Sequence, residues 1–306
     1  MTEIIATAES LEQAEALLDV DVDTLYVGNE TFGLRLPTSF SLQEIERITD
    51  MCHERGKKVC VAVNAIMHNE DIKKIVPYLK SLTKLKVDAI TVGDPGVIHL
   101  LRKEQLPLPF IYDAHTLVTS AGQINFWEKK GATGAVLARE LTFIELKQIA
   151  EKVTIPLEVL VYGATCIHHS NRPLVENYFN FTDQHEDKSK ERGLFLSEPK
   201  KPDTHYSIYE DSQGTHVFAT DDIHLMEYVG DLYEANVTIW KLDGIFSPGD
   251  AFVEIASLFV QAKQLLEKGE WTEQTATQFA EKVKQLHPRE RTLDAGFFLK
   301  DPSEVQ

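Results

Sequence analysis

From Ile4 to Asp243 the chain alternates short apolar runs with amphipathic stretches, a rhythm that restricts the fold more than any other feature. The runs are IIATA (4–8), TLYVG (24–28), VCVAVNA (59–65), AITVG (89–93), PFIYDA (109–114), GAVLA (134–138), LEVLVY (157–162) and TIWKLD (238–243). Most are β-branched and apolar throughout, as strands are when both faces of a sheet are covered. The intervening stretches carry helical stripes. In SLQEIERITDMCHERG (41–56), Leu42, Ile45, Ile48, Met51 and Cys52 share one face and Gly56 supplies the stop. SAGQINFWEKKG (120–131) and ELTFIELKQIAEKV (140–153) repeat that design. The alternation predicts repeated βα units.

Eight such strands meet the count of a closed (β/α)8 barrel, although an open doubly wound sheet has the same local pattern. Polar residues past the strands separate the two. Asn29, Arg35, Asn64, Asp94, Asp113, His115, Arg139, Glu140, Cys166, His168 and Asp243 all lie at or just beyond a strand's C-terminal end. In a barrel those ends gather at one mouth, where active sites form. No glycine-rich dinucleotide fingerprint follows the first strand. The expected architecture is therefore an α/β, TIM-like (β/α)8 barrel over residues 1–250, with C-terminal helices and a tail (251–306) packed on it. An insertion is expected at about 180–216, between the seventh and eighth units, because that stretch is polar, charged and interrupted by Pro199 and Pro202. Within it, HYSIYEDSQGTHVFAT predicts a hairpin with Gly214 in the turn.

A chain of 306 residues, 43% hydrophobic, can bury a core of that size. Its net charge of −17 disfavours broad contact with a polyanion. Three distant cysteines, Cys52, Cys60 and Cys166, suit a reducing cytosol. The N-terminus has no basic segment followed by a long apolar run, and the apolar runs are too short to cross a bilayer. The expectation is a cytoplasmic protein without a membrane anchor.

His115, Glu158, Cys166 and His168 are the candidate catalytic residues. His115 stands out by its place at a strand end. Cys166 reads either as a nucleophile or as a small buried side chain, and a nucleophile needs a positioned base. His168 is near in sequence, but sequence neighbours rarely form such a dyad. Glu158 interrupts an apolar run, so it is either a mouth carboxylate or half of an interior ion pair with Arg or Lys241. Arg35, Arg139 and Arg172 are candidates for a bidentate grip on a carboxylate or phosphate, or for structural pairs with Glu140, Glu158 or Asp94. Asn64 and Asp94 join them as candidate ligand-binding residues. No metal site is expected. His168 and His169 are adjacent and tend to point apart, HExxH is absent, and QHEDK (184–188) reads as a solvated loop. No GxSxG elbow occurs either.

LEVLVYGATCIHHSNRPLVENYF (157–179) resembles the signature of peptidase family U32, the collagenase-like peptidases, which begins E-x-F-x-x-G-[SA]-x-C. Glu158, Gly163, Ala164 and Cys166 match it, and Ser170 and Arg172 fit the YSGRC region that follows. LYVGNETFGLR, VAVNAIMHNED, VDAITVGDPGVIHLLR and AVLARELT agree in order, and WKLDGIFSP is similar to the family's K-I-E-G-R-M-K. The likeness spans nearly the whole chain and is greatest to the short Firmicute form, encoded beside a longer member. Departures accompany it. Cluster-bearing relatives hold an iron–sulfur cluster with four cysteines at this edge. Here Pro173 stands in the second cysteine's place, ERGLFLSEPKK replaces the later cysteine region, and no cysteine follows Cys166. Ile245 replaces the arginine of E-G-R, and Asp243 its glutamate. No cofactor is expected, since one thiolate cannot hold the cluster.

The resemblance implies oxygen-independent or prephenate-dependent hydroxylation, including formation of 5-hydroxyuridine at the tRNA wobble position, with prephenate as a co-substrate. It implies a cluster-free subunit working with a longer U32 paralogue, which would supply most contacts to tRNA. A collagenase-like, metal-dependent peptidase and a non-catalytic scaffold for the paralogue stay open, as does self-association into a homo-oligomer.

Overall fold

The computed structural model describes residues 2–305. Seven consecutive parallel strands build most of a barrel: β1 (Glu3–Thr7), β2 (Thr24–Gly28), β3 (Lys58–Ala62), β4 (Ala89–Val92), β5 (Phe110–Tyr112), β6 (Ala132–Val136) and β7 (Leu157–Gly163). A long excursion follows, carrying β8 (Cys166–Ser170), β9 (Phe195–Glu198), β10 (Lys201–Asp211), β11 (Gly214–Phe218) and β12 (Asp221–His224). The eighth barrel strand, β13 (Ile239–Leu242), then pairs in parallel with both β7 and β1 and closes the ring. The registers Ile239↔Glu158 and Glu3↔Ile239 fix that closure.

Helices α1 (Leu11–Asp19), α2 (Leu42–Glu54), α3 (Asn69–Leu85), α4 (Pro95–Lys103), α5 (Ala121–Glu128) and α6 (Phe143–Ala150) follow the first six strands. Their starts are written into the sequence. Ser41 and Thr142 form capping boxes with Glu44 and Glu145, each satisfying two otherwise orphaned N–H groups. The α2 stripe buries Ile45, Ile48 and Cys52 as the pattern predicts, while Leu42, in the first turn, stays 38% exposed. The main core lies between the barrel wall and the helices. A smaller apolar cluster of Ile5, Tyr26, Cys60, Ala62 and Ile239 fills the barrel itself.

Two expected boundaries move. The insertion begins immediately after β7 rather than near residue 180, and it folds into a second, antiparallel sheet in the order β8-β11-β10-β9, with α7 (Leu174–Phe181) beside it. Cys166 and His168 therefore lie on β8 of that sheet, not on the tip of a barrel strand. The predicted hairpin is β10–β11, with Asp211 opposite Gly214. Gly214 has φ +103°, and a Cβ there would meet the Ser170 carbonyl oxygen at 2.1 Å. After α8 (Val229–Glu234) and β13, helix α9 (Asp250–Lys268) packs against α1, α8 and β1. It is the eighth barrel helix, so the barrel extends to Lys268 rather than stopping at residue 250. Beyond it, α10 (Glu273–Leu286) packs on α9, and β14 (Thr292–Asp294) pairs with β12. Among the described residues no helix is long and apolar enough to cross a membrane.

Candidate functional site

The C-terminal ends of the barrel strands enclose a polar mouth. Its inner pocket, about 70 Å³, is lined by Arg35, Asn64, Asp113, His115, Arg139 and Glu158, with Cys166, Lys241 and Asp243 completing the wall. That volume suits a few waters or one carboxylate-sized group. A wider groove of about 520 Å³ opens outside it, shared by Arg35, Asn64, His115 and Cys166 and bordered by Asp94, His168 and His169. Closure of the ring thus unites side chains from β2, β3, β5, β6, β7 and β13.

Asn64 anchors the mouth. Its Oδ1 accepts the Leu34 N–H at 3.0 Å, while its Nδ2 donates to Asp113 Oδ2 at 2.7 Å and to the Tyr26 hydroxyl at 3.3 Å. This pins the loop after β2 to the end of β5. Burial raises the Asp113 carboxyl, but His115, Lys241, Asn64 and Arg35 outweigh it and hold the group below the ordinary aspartate value. The Asp113 Oδ1 accepts the His115 N–H at 3.2 Å.

The His115 tautomer follows from its neighbours. Arg35 Nη2, which can only donate, lies 2.8 Å from His115 Nδ1, and His115 Nε2 lies 3.1 Å from the Asn64 carbonyl oxygen, which can only accept. Nδ1 is therefore the acceptor and Nε2 carries the proton. The ring is neutral. Burial drives it down to about 4; Asp113 opposes this and the Arg35 charge adds to it.

Glu158 and Lys241 face each other inside the barrel, with Nζ to Oε1 at 3.6 Å, and both are almost fully buried. Lys241 also sits over the Tyr26 ring, 3.3 Å from its centroid. Neither Glu158 oxygen has a hydrogen-bond partner. Burial raises its carboxyl, Lys241 opposing. Glu158 therefore has Lys241 as its counter-charge inside the barrel, and both line the pocket.

Arg139 donates to the Ala164 carbonyl oxygen at 2.8 Å and lies 3.8 Å from Asp243 Oδ2. Arg35 and Arg139 each use one N–H in a hydrogen bond and have donors left for an anion. Three sequence candidates stand apart from the inner pocket. Asp94 caps α4, its Oδ1 accepting from Gly96 and Val97 at 2.7 and 3.1 Å. Arg172 is exposed in the turn after β8. His168 is exposed on β8 and borders only the outer groove.

Cys166 has a different histidine beside it. A register shift in the β8–β11 pairing sets Val217 opposite His168 but Phe218 opposite Cys166, leaving Ile167 as an extra residue. That bulge turns Cys166 onto the face of His169 and His216 and away from His168. His216 is wholly buried, and its Nε2 pairs with Asp211 Oδ1 at 2.9 Å. Sequence reasoning passed over His216, Asp211 and Lys190, which donates to the Pro37 carbonyl near the outer edge. Alternating spacing along THVF hints that His216 is on the same face as Phe218, but the partner strand is not local. Cys52 and Cys60 are buried, one on α2 and one inside the barrel, so the donors around Cys166 are imidazoles and guanidinium groups rather than thiolates. No group of three or more metal-binding side chains converges among the described residues.

The profile of peptidase family U32 matches residues 9–306. The chain is 32% identical to the tRNA hydroxylation protein P2 of Bacillus subtilis over 98% of both chains. It is 25% identical to that organism's tRNA hydroxylation protein P1, covering 79% of this chain and 58% of the relative. It is 24% identical to the 23S rRNA 5-hydroxycytidine C2501 synthase of Escherichia coli, covering 79% of this chain and 36% of that one. The U32 peptidase Mk0906 shares the fold at a TM-score of 0.50 and 18% identity, over 79% of this chain and 92% of that structure.

Proposed function

The chain belongs to peptidase family U32, and from that premise we propose that it is a subunit of a tRNA wobble-uridine hydroxylation system, acting with a longer U32 paralogue. The end-to-end likeness to a relative named tRNA hydroxylation protein P2 carries this reading. A second, longer relative named P1 in the same organism supports a paired arrangement. Peptidase, for this chain, is a family label rather than an assigned reaction.

In this reading the mouth binds a small carboxylate such as prephenate through Arg35 and Arg139. The guanidinium edges left free supply paired N–H donors, and the walls exclude bulk water, which strengthens charge-assisted hydrogen bonds. The Asn64–Asp113 link holds the Arg35 loop against the mouth before a ligand arrives, so little ordering is needed on binding. The Cys166 surroundings favour a cluster-free subunit, because no second thiolate reaches it. With a net charge of −17, the chain leaves most phosphate contacts to its partner.

Deletion of the gene, with nucleoside mass spectrometry of total tRNA, tests the reading. Loss or reduction of wobble 5-hydroxyuridine is expected, restored by the wild-type gene but not by R35A/R139A. Unchanged 5-hydroxyuridine overturns it. Full rescue by R35A/R139A, with the paralogue still co-purifying, moves the assignment from ligand binding to scaffolding.

A further inference from the structure

We propose that Cys166, His216 and Asp211 form a nucleophilic triad whose thiolate attacks small carboxylate-bearing electrophiles entering the barrel mouth. His216 and Asp211 lie 45 or more residues from Cys166 in the chain, and only the second sheet brings the three together.

The geometry has the three roles that a thiol nucleophile needs. Asp211 Oδ1 accepts from His216 Nε2 at 2.9 Å, which fixes the proton on Nε2 and leaves the Nδ1 lone pair free. His216 has no exposed surface, and its Nδ1 is buried without a conventional hydrogen-bond partner. An orphaned buried nitrogen of this kind is uncommon, and the thiol neighbouring His216 on that face of the sheet is Cys166. The β8 bulge produces that meeting. Stacking of His169 on His216, with centroids 4.5 Å apart, and the Tyr209 ring at 4.9 Å hold the imidazole plane. His169 uses Nε2 on the Gln213 carbonyl oxygen, so it holds the ring in place without competing for Asp211.

Cys166 is the member that meets solvent, lining both the inner pocket and the outer groove. Its S–H points to the His168 carbonyl oxygen at 3.2 Å, and a change of the Cys166 side-chain rotamer presents the thiol to His216 Nδ1. Transfer of that proton leaves a thiolate beside an imidazolium. The charges facing the pair are Arg35 and Arg139 from the barrel loops, Asp211 from the hairpin, and the neutral His169 and Tyr209. Burial by itself raises the thiol; the nearby His216 imidazole and the Arg35, His216 and Arg139 charges outweigh it and bring the group below the ordinary thiol value. Burial lowers His216, and the bond to Asp211 with the nearby Cys166 outweighs that too.

The same two arginines make the electrophile anionic. A carboxylate held by Arg35 and Arg139 presents the adjacent carbon to Sγ. The sulfur lone pair forms the S–C bond. Where that carbon is a carbonyl, the π pair moves to oxygen, which takes the proton from His216 Nδ1. No further reactant enters. This reading shares the anion-binding mouth with the function proposed above but needs neither tRNA nor the paralogue.

Alkylation of the purified full-length chain tests it. Iodoacetate and iodoacetamide, at pH 5 to 9, are compared by peptide mass spectrometry at Cys166; the sulfur displaces iodide in both. The rate should reach half its maximum below the pH of about 8.5 typical of free cysteine, and the iodoacetate-to-iodoacetamide ratio should exceed that of free cysteine. H216Q and D211N should each move the midpoint to higher pH, lowering the rate at pH 6 about tenfold for every pH unit the midpoint rises. An ordinary profile in the wild type, or a low profile that folded H216Q leaves unchanged, overturns the triad. A reagent ratio equal to that of free cysteine overturns the anionic specificity. If both variants misfold, the wild-type profile and ratio decide. The experiment is separate from tRNA 5-hydroxyuridine, so either proposal can fail alone.

Discussion

Arg35 and His115 are 80 residues apart in sequence, both have a left-handed backbone with φ +54°, and Arg35 Nη2 donates to His115 Nδ1 at 2.8 Å. Such a conformation costs about 1–2 kcal/mol for an arginine, and residues held this way cluster where geometry serves function. Packing around Asn64 and Asp113 keeps both in place.

Removing Arg35 should raise the His115 titration midpoint from its native value of about 4, because the substitution deletes a nearby positive charge and opens the ring to water. NMR titration of the imidazole in R35A checks this. A midpoint that stays near 4 would show that Arg35 contributes nothing to the electrostatics of the mouth.

Acid should destabilise the fold earlier than carboxylate protonation alone would. Burial puts His115 and His224 at about 4 in the folded chain, whereas an unfolded histidine titrates at about 6.5. Between those values the unfolded state binds more protons, so stability is intact above about pH 6.5 and falls as pH drops towards 4. Each group contributes about 1–3 kcal/mol to that loss. Thermal melts across this window should show a smaller decline in H115N, since asparagine tolerates the positive φ and does not titrate.

Lys241→Met leaves Glu158 buried without its counter-charge. Breaking a buried pair costs about 3–5 kcal/mol when one partner stays charged; the Glu158 carboxyl, already raised by burial, should then take up a proton and soften the loss. The double variant K241M/E158L should recover most of the stability in urea unfolding. Equal instability of single and double variants would assign the loss to the Lys241 contact with Tyr26 instead.

Gly163→Ala should be among the most damaging single-methyl additions. Gly163 ends β7 at φ +122°, and a Cβ there would sit 2.3 Å from the Asp243 carbonyl oxygen. The clash falls where β13 closes the ring, so a loss of about 3 kcal/mol or more is expected. The denaturant midpoint reads it directly.

Asp94→Ala separates capping from ligand binding. Loss of the α4 cap should cost about 1 kcal/mol and leave tRNA 5-hydroxyuridine formation in a complemented deletion strain unchanged. A stable D94A protein that fails to complement would return Asp94 to the ligand site.

Much of the barrel could be read from the chain because its signals are local. Polar tips such as Asn64, Asp113, His115 and Arg139 were legible for the same reason: each follows its own strand. The insertion was less legible. CIHHS looked like the trailing edge of LEVLVY, yet it pairs with GTHVF 45 or more residues later. The apolar stripe of α9 marked a helix but not its position in the ring, which depends on contacts with α1 and β1.

The sequence by itself determined the eight βα units, their capped helix starts and the ring of polar residues at the strand ends, because side-chain periodicity and capping act within a few positions. Tertiary structure alone decided which histidine lies beside Cys166 and that Lys241, rather than an arginine, faces Glu158. Those meetings depend on strand register and one bulged residue across long sequence separations, where a one-residue slip turns a side chain to the opposite face.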